Sequence, residues 1–205
     1  MTLKVVLASS NQGKIAEIQA MLSEQSVEVL PQSHFAISDA DETGTTFIEN
    51  AIIKARHAAR LSKLPAIADD SGLAVDALNG APGVYSARYA GLPSNDQRNT
   101  EKLLLELEKT PHQVRSARFH CVMVFMSSAD DPAPLVGHGV WQGTIALQAN
   151  GNNGFGYDPV FYIPSLNCTS AELAPAVKNK LSHRAQALKQ LLPQISDFLT
   201  ARYVD

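Results

Sequence analysis

The sequence predicts an α/β fold with a partly parallel β-sheet. Strand-like and helix-like segments alternate from the start, because an apolar strand pattern over Leu3–Ala8 precedes a polar turn and a helical pattern that reaches about Ser23. Such alternation is typical of parallel strands joined by crossover helices. The 205 residues can bury one full core, so we expect one domain over residues 1–205, which could comprise two closely joined lobes.

Composition limits the partners and the compartment. The net charge of −3 disfavours a broad basic surface, so we expect no nucleic-acid partner. No apolar stretch is long enough to cross a bilayer, and residues 1–30 lack the features of a signal peptide, which predicts no membrane partner. Cys121 and Cys168 match neither a disulfide framework nor a zinc spacing. We therefore expect a cytoplasmic protein.

The first turn is a candidate phosphate site. It consists of Ser9, Ser10, Asn11, Gln12, Gly13 and Lys14. A strand that turns through small polar residues into a helix exposes backbone N–H groups at the positive end of the helix dipole, and a lysine adds charge. The turn is not a P-loop, since it has a single glycine and Ile15 follows the lysine. The alternative is that Ser10 or Asn11 simply caps the helix.

A second helix is predicted after an acidic stretch. Val27–Leu30 is a possible strand, and Asp41 and Glu42 lie in the polar segment that follows it. Thr46 and Glu49 have the spacing of a capping box, which predicts a helix that begins there. Lys54 falls on the polar side of that helix.

Two adjacent aspartates are candidates for chemistry. Pro65–Ala68 is a short apolar run that we expect to form a strand ending at Asp69, Asp70, Ser71 and Gly72. Ligands collect at the carboxyl ends of strands in open α/β sheets. Carboxylates from this motif, together with Asp41 or Glu42, are the oxygen ligands that Mg²⁺ prefers. The alternative is a tight turn made of turn-favouring residues.

The second half of the chain contains further predicted elements. These are a helix over Ser94–Lys109, a strand over Phe119–Met126, one or two strands within Leu135–Leu147 and a helix over Ser182–Tyr203. Ser94 and Gln97 have capping-box spacing at the start of the first of these helices. Pro193 is expected to kink or interrupt the last helix.

Two other segments are candidates for ligand binding. The glycine-rich loop over residues 151–159 contains Phe155 and Tyr157, which could stack on a base or pack on the core. Lys178, Lys180, His183 and Arg184 cluster around the start of the last helix. The N-terminus of a helix carries a partial positive charge, so cations are unfavourable there unless an anion or acceptor is near. This cluster of cations therefore favours a functional role.

The ordered set of motifs resembles the inosine/xanthosine triphosphate pyrophosphatases. The matching segments are SSNQGK at 9–14, ETGTTFIENA at 42–51, LPAIADDSGLAVDAL at 64–78, GAPGVYSARYAG at 80–91, NGFGYDPVF at 153–161 and K-x-x-x-x-HR at 178–184. The resemblance implies an elongated, curved mixed sheet flanked by helices, with two lobes, an active-site cleft between them and a homodimeric assembly. It also implies Mg²⁺-dependent hydrolysis of ITP, dITP and XTP to the monophosphate and pyrophosphate.

The resemblance also implies residue roles. Asp70 matches the general base, and Asp69, Asp70 and either Asp41 or Glu42 match the metal site. The residues implied for the substrate are Ser9, Ser10, Asn11, Gln12, Gly13, Lys14, Lys54, Ser71, Phe155, Gly156, Tyr157, Asp158, Lys178, His183 and Arg184. Lysine and arginine only donate hydrogen bonds, so they suit the 6-oxygen of hypoxanthine or xanthine and reject the amino group of adenine.

Two other functions remain open. The first is a pyrimidine nucleoside triphosphate pyrophosphatase of the septum-formation inhibitor type, which shares a similar Leu-Ala-Ser start. Its Ser-Pro-Arg-Arg-like run differs from the segment Ser10–Lys14 here. The second is a nucleotide-binding module without turnover, which could dispense with Asp70 and the acidic cluster.

Overall fold

The computed structural model describes residues 3–23, 25 and 27–203. The strands are β1 (Leu3–Ala8), β2 (Val27–Pro31), β3 (Ala66–Val75), β4 (Ser116–Met126), β5 (Leu135–Ile145), β6 (Phe161–Ile163) and β7 (Cys168–Thr169). The helices are α1 (Gln12–Leu22), α2 (Phe47–Ser62), α3 (Asp96–Glu106), α4 (Pro175–Leu181) and α5 (His183–Tyr203). Among these described residues, no helix combines the length and apolar character that crossing a bilayer requires.

The strands form one mixed sheet, in the order β2-β1-β3-β4-β5-β6-β7. β1 is parallel to both β2 and β3, whereas β6 is antiparallel to both β5 and β7. The α/β class with a mixed sheet and flanking helices is therefore confirmed.

The chain divides into two compact units. The first unit contains the described residues within Met1–Asp70, Cys121–Gly139 and Arg184–Asp205, and the second contains Ser71–His120 and Val140–His183. The division passes through β3, β4 and β5, so each of these strands supplies residues to both units.

Side-chain alternation along the strands builds the core of the first unit. One face of the strands packs with α1 and α5, and its buried members include Val5, Leu7, Ile67, Cys121, Ile18 and Leu188. The other face packs with α2, and its members include Val6, Ala8, Ala66, Ala68, Ala51 and Ala55. Successive strand residues point to opposite faces, so neighbouring residues of one strand belong to different clusters.

The second unit has its own core. Its buried members include Leu73, Phe119, Trp141, Phe161 and Leu103 of α3. Tyr157 of the glycine-rich loop belongs to this cluster and is 4% exposed. Of the two predicted alternatives for this ring, stacking on a base or packing on the core, the structure therefore shows packing on the core.

The start of α2 is as expected. Thr46 caps the helix, because its Oγ1 accepts from the backbone N–H of Glu49 at 3.3 Å. The Glu49 carboxylate in turn accepts from the Thr46 N–H at 2.9 Å, which completes the capping box.

The structure corrects three sequence-based expectations. β3 does not end at Asp69 but continues to Val75, because ion pairs compensate the buried aspartates and the strand need not turn away. The cap of α3 is Asn95, whose Oδ1 accepts from the Arg98 N–H at 2.8 Å, rather than Ser94. α5 continues through Pro193, so the alternative of an interruption is wrong, whereas a kink at Pro193 stays a prediction. Leu135–Ile145 forms one strand, which decides between the alternatives left open for that segment.

Candidate active site

The turn after β1 has the geometry of a helix cap. Asn11 is the cap of α1, and its Oδ1 accepts from the Lys14 N–H at 3.0 Å. Ser9 Oγ accepts from the Asn11 N–H at 3.2 Å, and Ser10 Oγ donates to Asp39 at 2.7 Å. The cap satisfies one of the orphan N–H groups at a helix start, so capping and the predicted binding of a phosphate are compatible, and the phosphate site stays a prediction.

Asp69 is a fully buried anion held by three donors. Its carboxylate lies 2.5 Å from Lys14 Nζ and 3.2 Å from Arg184 Nε, and it accepts from Cys121 Sγ at 2.7 Å. Burial alone would raise the pKa of Asp69, but the charges of Arg184 and Lys14 outweigh it and hold the pKa well below the usual range. Asp69 is therefore ionised at neutral pH and fixes the position of Lys14.

Asp70 has a different environment from its neighbour. Its Oδ1 lies 2.6 Å from Lys54 Nζ, and the same nitrogen lies 3.0 Å from Glu42 Oε1. Burial raises the pKa of Asp70 above its ordinary value, although Lys54 and Lys14 oppose that rise. Burial also acts to lower the pKa of Lys54, but Asp70 and Glu42 outweigh it and raise the pKa, so the lysine stays charged. A carboxylate with a raised pKa suits proton transfer.

The structure distinguishes between the two acids of the loop before α2. Glu42 is half-buried and shares Lys54 with Asp70, whereas Asp41 is exposed. Two carboxylates that converge on one ammonium form a set of oxygen donors that suits a divalent cation. No cluster of three or more metal-binding side chains occurs within residues 3–23, 25 and 27–203. A metal here would therefore take its other ligands from water or a bound molecule.

The second unit contains a polar cluster beside an aromatic ring. Asp158 is buried and lies 2.5 Å from Lys178 Nζ, and it also accepts from Ser170 Oγ and the Phe155 N–H, both at 2.9 Å. The ammonium of Lys178 lies 4.9 Å from the centre of the Phe155 ring. Gly154 has a φ of 76°, and a side chain there would collide with the Asp158 carboxylate. Phe155 is half-buried.

Four further predicted residues, Gly156, Tyr157, Ser71 and His183, lie in the second unit. Gly156 has a φ of 61°, and the Tyr157 hydroxyl donates to the Ser86 carbonyl oxygen at 2.9 Å in the second unit. Ser71 is half-buried in β3. The buried His183 ring stacks on Phe119 with 4.7 Å between ring centres.

Arg184 belongs to the first unit and is buried. In addition to its contacts with Asp69, its Nη1 lies 2.6 Å from Glu17 Oε2. The predicted contact of Arg184 with the base edge stays a prediction, and the structure adds a role as the partner of two acids.

Sequence reasoning missed several of these residues. Glu17 follows Lys14 by three positions in α1, so helical spacing could have indicated a shared face. Cys121, Ser170 and Phe119 carry no local signal, because their roles depend on contacts between distant segments.

The two clusters define an α/β protein suited to a phosphorylated ligand. The first unit combines a helix N-terminus, two lysines and paired carboxylates, and the second presents an aromatic ring beside donors. The chain belongs to the Ham1 family, whose model matches residues 5–194.

Curated relatives and solved structures agree with this assignment. The chain is 61% identical over 193 residues to a dITP/XTP pyrophosphatase of Vibrio parahaemolyticus, an alignment that covers 94% of this chain and 96% of the relative. It is 57% identical to the Vibrio cholerae protein of the same name, with 95% and 97% covered. A HAM1 protein structure from Coxiella burnetii superposes with a TM-score of 0.88 at 53% identity and covers 96% of this chain and 100% of that one.

Proposed function

We propose that this chain hydrolyses deaminated purine nucleoside triphosphates, namely ITP, dITP and XTP, to the monophosphate and pyrophosphate. The observation that carries the proposal is the pair of carboxylates, Asp70 and Glu42, that converge on Lys54. A module that only bound nucleotide would not need this pair. The proposal is supported by relatives with up to 61% identity that are named dITP/XTP pyrophosphatases.

In this proposal Asp70 is the general base. Its carboxylate accepts a proton from the water that attacks the α-phosphorus, and the bond to the pyrophosphate leaving group breaks. The raised pKa of Asp70 brings its basicity closer to that needed at neutral pH. Lys54 holds Asp70 Oδ1 at 2.6 Å and so fixes the direction from which the proton is accepted.

The carboxylates fit a magnesium ion. Glu42 Oε1 and Asp70 Oδ1 contact the Lys54 ammonium, so the other oxygens of these two carboxylates would hold the ion beside it, and Mg²⁺ commonly takes one or two carboxylates together with substrate phosphates and water. We assign Glu42 and Asp70 as its ligands, because Asp69 already accepts from Lys14, Arg184 and Cys121. When bound, Mg²⁺ would offset the charge of the phosphates.

The phosphate contacts follow from the first turn. The N–H groups at the start of α1 and the Lys14 ammonium suit the phosphates, with Ser9, Ser10, Asn11, Gln12 and Gly13 forming the backbone of that turn. Lys54 and Ser71 are proposed as further substrate contacts. Lys14 is fixed by Asp69, so it requires little reorganisation when an anion binds.

Base selection is assigned to residues with fixed donors. Phe155 would stack on the purine, and Gly156 and Tyr157 would shape the loop around it. Lys178, held by Asp158, would donate to the 6-oxygen. His183 and Arg184 are proposed at the same base edge. Adenine offers an amino group at that position, so donor would face donor and ATP would be rejected.

Two broader expectations complete the proposal. We infer a cytoplasmic enzyme that acts on the nucleotide pool. We also infer a homodimer, which is supported by the exposed apolar side chains of Tyr85 and Leu92. Light scattering should then give about twice the chain mass of 22.1 kDa, and a particle of a single chain's mass would refute the dimer.

The decisive experiment is product analysis with ITP, XTP, dITP, GTP, ATP and UTP in the presence of Mg²⁺. We expect monophosphate and pyrophosphate from ITP, dITP and XTP, with ATP and UTP nearly untouched. Diphosphate and phosphate would instead indicate attack at the γ-phosphorus. Cleavage of UTP alone would favour the pyrimidine enzyme, and binding without cleavage would favour the module without turnover.

A further inference from the structure

We propose that Asp96, in the first turn of α3, is a positioning residue that fixes the base-binding loop over Phe155–Asp158. The inference rests on the proposed function, because it concerns the loop assigned to purine stacking. All the residues involved belong to the second unit.

The contact is made through the backbone of Gly156. Asp96 Oδ2 accepts from the Gly156 N–H at 2.7 Å, and Thr100 Oγ1, one helical turn further along α3, donates to the Gly156 carbonyl oxygen at 3.4 Å. The N–H and the carbonyl oxygen of Gly156 therefore both contact α3. A hydrogen bond to a charged acceptor is stronger than one between neutral groups.

The loop needs such a contact because its glycines leave the backbone free to adopt several conformations. Gly154 and Gly156 both have positive φ angles, which glycine adopts as readily as negative ones. Phe155 lies between them, and its N–H is held by Asp158 at 2.9 Å. Tyr157 follows Gly156, and its hydroxyl donates to the Ser86 carbonyl oxygen. Asp96 holds Gly156, the residue that lies between Phe155 and Tyr157.

α3 is suited to act as the support. Asn99 of this helix accepts from the Ala90 N–H at 2.7 Å and donates to the Ala87 carbonyl oxygen at 3.0 Å. Leu103 and Leu107 at the end of the helix are buried in the core of the second unit. The helix is therefore anchored by polar contacts and by packing, and its first turn can hold the loop in one place.

The inference predicts a selective defect. Without the Asp96 carboxylate, Phe155 should sample positions unsuited to stacking, so the affinity for the base should fall. Asp70, Glu42 and Lys14 belong to the other unit, as do their ion-pair partners Lys54 and Asp69, so the chemical step and the binding of phosphates should be retained.

The test compares Asp96→Ala and Asp96→Asn with a matched control, Glu101→Ala, which removes an exposed acid from the same helix. For Asp96→Ala we expect the KM for ITP to rise about tenfold with kcat within about twofold of the wild type. The inhibition constant of inorganic tripolyphosphate, which lacks a base, should be unchanged. Asp96→Asn retains an acceptor oxygen and should recover most of the affinity, and Glu101→Ala should behave as the wild type.

Hydrogen exchange of the Gly156 amide is the second measurement, and it requires no substrate. We expect the Gly156 amide to exchange faster in Asp96→Ala than in the wild type or in Glu101→Ala. Unchanged exchange at Gly156, an unchanged KM for ITP, or an equal weakening of ITP and tripolyphosphate would each overturn the positioning role. An equal weakening of ITP and tripolyphosphate would indicate a general loss of structure and not a defect confined to the base-binding loop.

The two proposals fail in different ways. A wild type that releases no monophosphate and pyrophosphate from ITP would refute the proposed function, and the role of Asp96 in base binding with it. A wild type that hydrolyses ITP, combined with unchanged kinetics and exchange in Asp96→Ala, would refute only the positioning role.

Discussion

Asp69 and Asp70 are adjacent in β3 but bind different lysines. Asp69 lies 2.5 Å from Lys14 Nζ, and Asp70 lies 2.6 Å from Lys54 Nζ. Strand alternation sends one carboxylate towards α1 and the other towards α2. Since the first carboxylate has three donors and the second faces Glu42 across a shared ammonium, the two acids should respond differently to the same substitution.

Asp70→Asn should keep the fold and nucleotide binding but remove most turnover. The amide cannot accept the proton of the attacking water at useful rates, so we expect kcat for ITP to fall by about 10²-fold or more. Pyrophosphate release measures the effect. Asp130→Asn, in an exposed loop of the same unit, is the control and should retain full activity. Near-normal turnover by Asp70→Asn would exclude Asp70 as the base.

Asp69→Asn should instead reduce stability. Removing a charge from a buried ion pair leaves its partners uncompensated, so we expect a loss of about 3 kcal/mol in the free energy of unfolding at pH 7. Urea unfolding measures this loss, and Asp130→Asn again serves as the control. An equal stability of Asp69→Asn and the wild type would contradict the anchoring role.

The loss should also depend on pH. The pKa of Asp69 in the folded protein is well below its usual range. Asp69 therefore makes its full contribution to the free energy of unfolding above the pKa of the unfolded chain, about 3.9. That contribution disappears as the pH falls through the pKa of Asp69 in the folded protein. The difference between the wild type and Asp69→Asn should therefore shrink below about pH 4. A difference that grows on acidification would show that the sign of the pKa shift is wrong.

Arg184→Lys tests two roles of one side chain. A lysine cannot reproduce the fork that reaches both Asp69 and Glu17, so we expect a lower melting temperature. If Arg184 also lies at the base edge, the preference for ITP over ATP in kcat/KM should narrow by about tenfold or more. A lower melting temperature with an unchanged preference would restrict Arg184 to holding the two acids.

Metal removal should abolish activity reversibly. We expect EDTA to stop the hydrolysis of ITP and added Mg²⁺ to restore it, because the two carboxylates and the polyphosphate are all negatively charged and repel one another without a divalent cation. Glu42→Gln should raise the Mg²⁺ concentration for half-maximal activity by about tenfold or more, whereas Asp41→Asn, at an exposed position, should change it little. Turnover in the absence of metal, or the reverse order of the two variants, would refute the assignment.

Local sequence patterns predicted much of the fold. The first strand, the capping box at Thr46 and the long last helix were recognisable because their signals lie within a few residues of one another. The course of β3 was mispredicted, since the acidic motif resembles a turn unless its distant partners are known. The cap of α3 was shifted by one residue because Ser94 and Asn95 are both good capping types.

The sequence by itself determined the α/β class, the turn at Ser9–Lys14 that leads into a helix, the acidic pair and the family resemblance. Only the tertiary structure decided that Glu42, and not Asp41, meets Lys54 and Asp70, and that Arg184 lies against Asp69. The physical reason is distance along the chain. Arg184 and Asp69 are separated by 115 positions, so their contact depends on the packing of α5 against the strands of the first unit, which no local periodicity encodes.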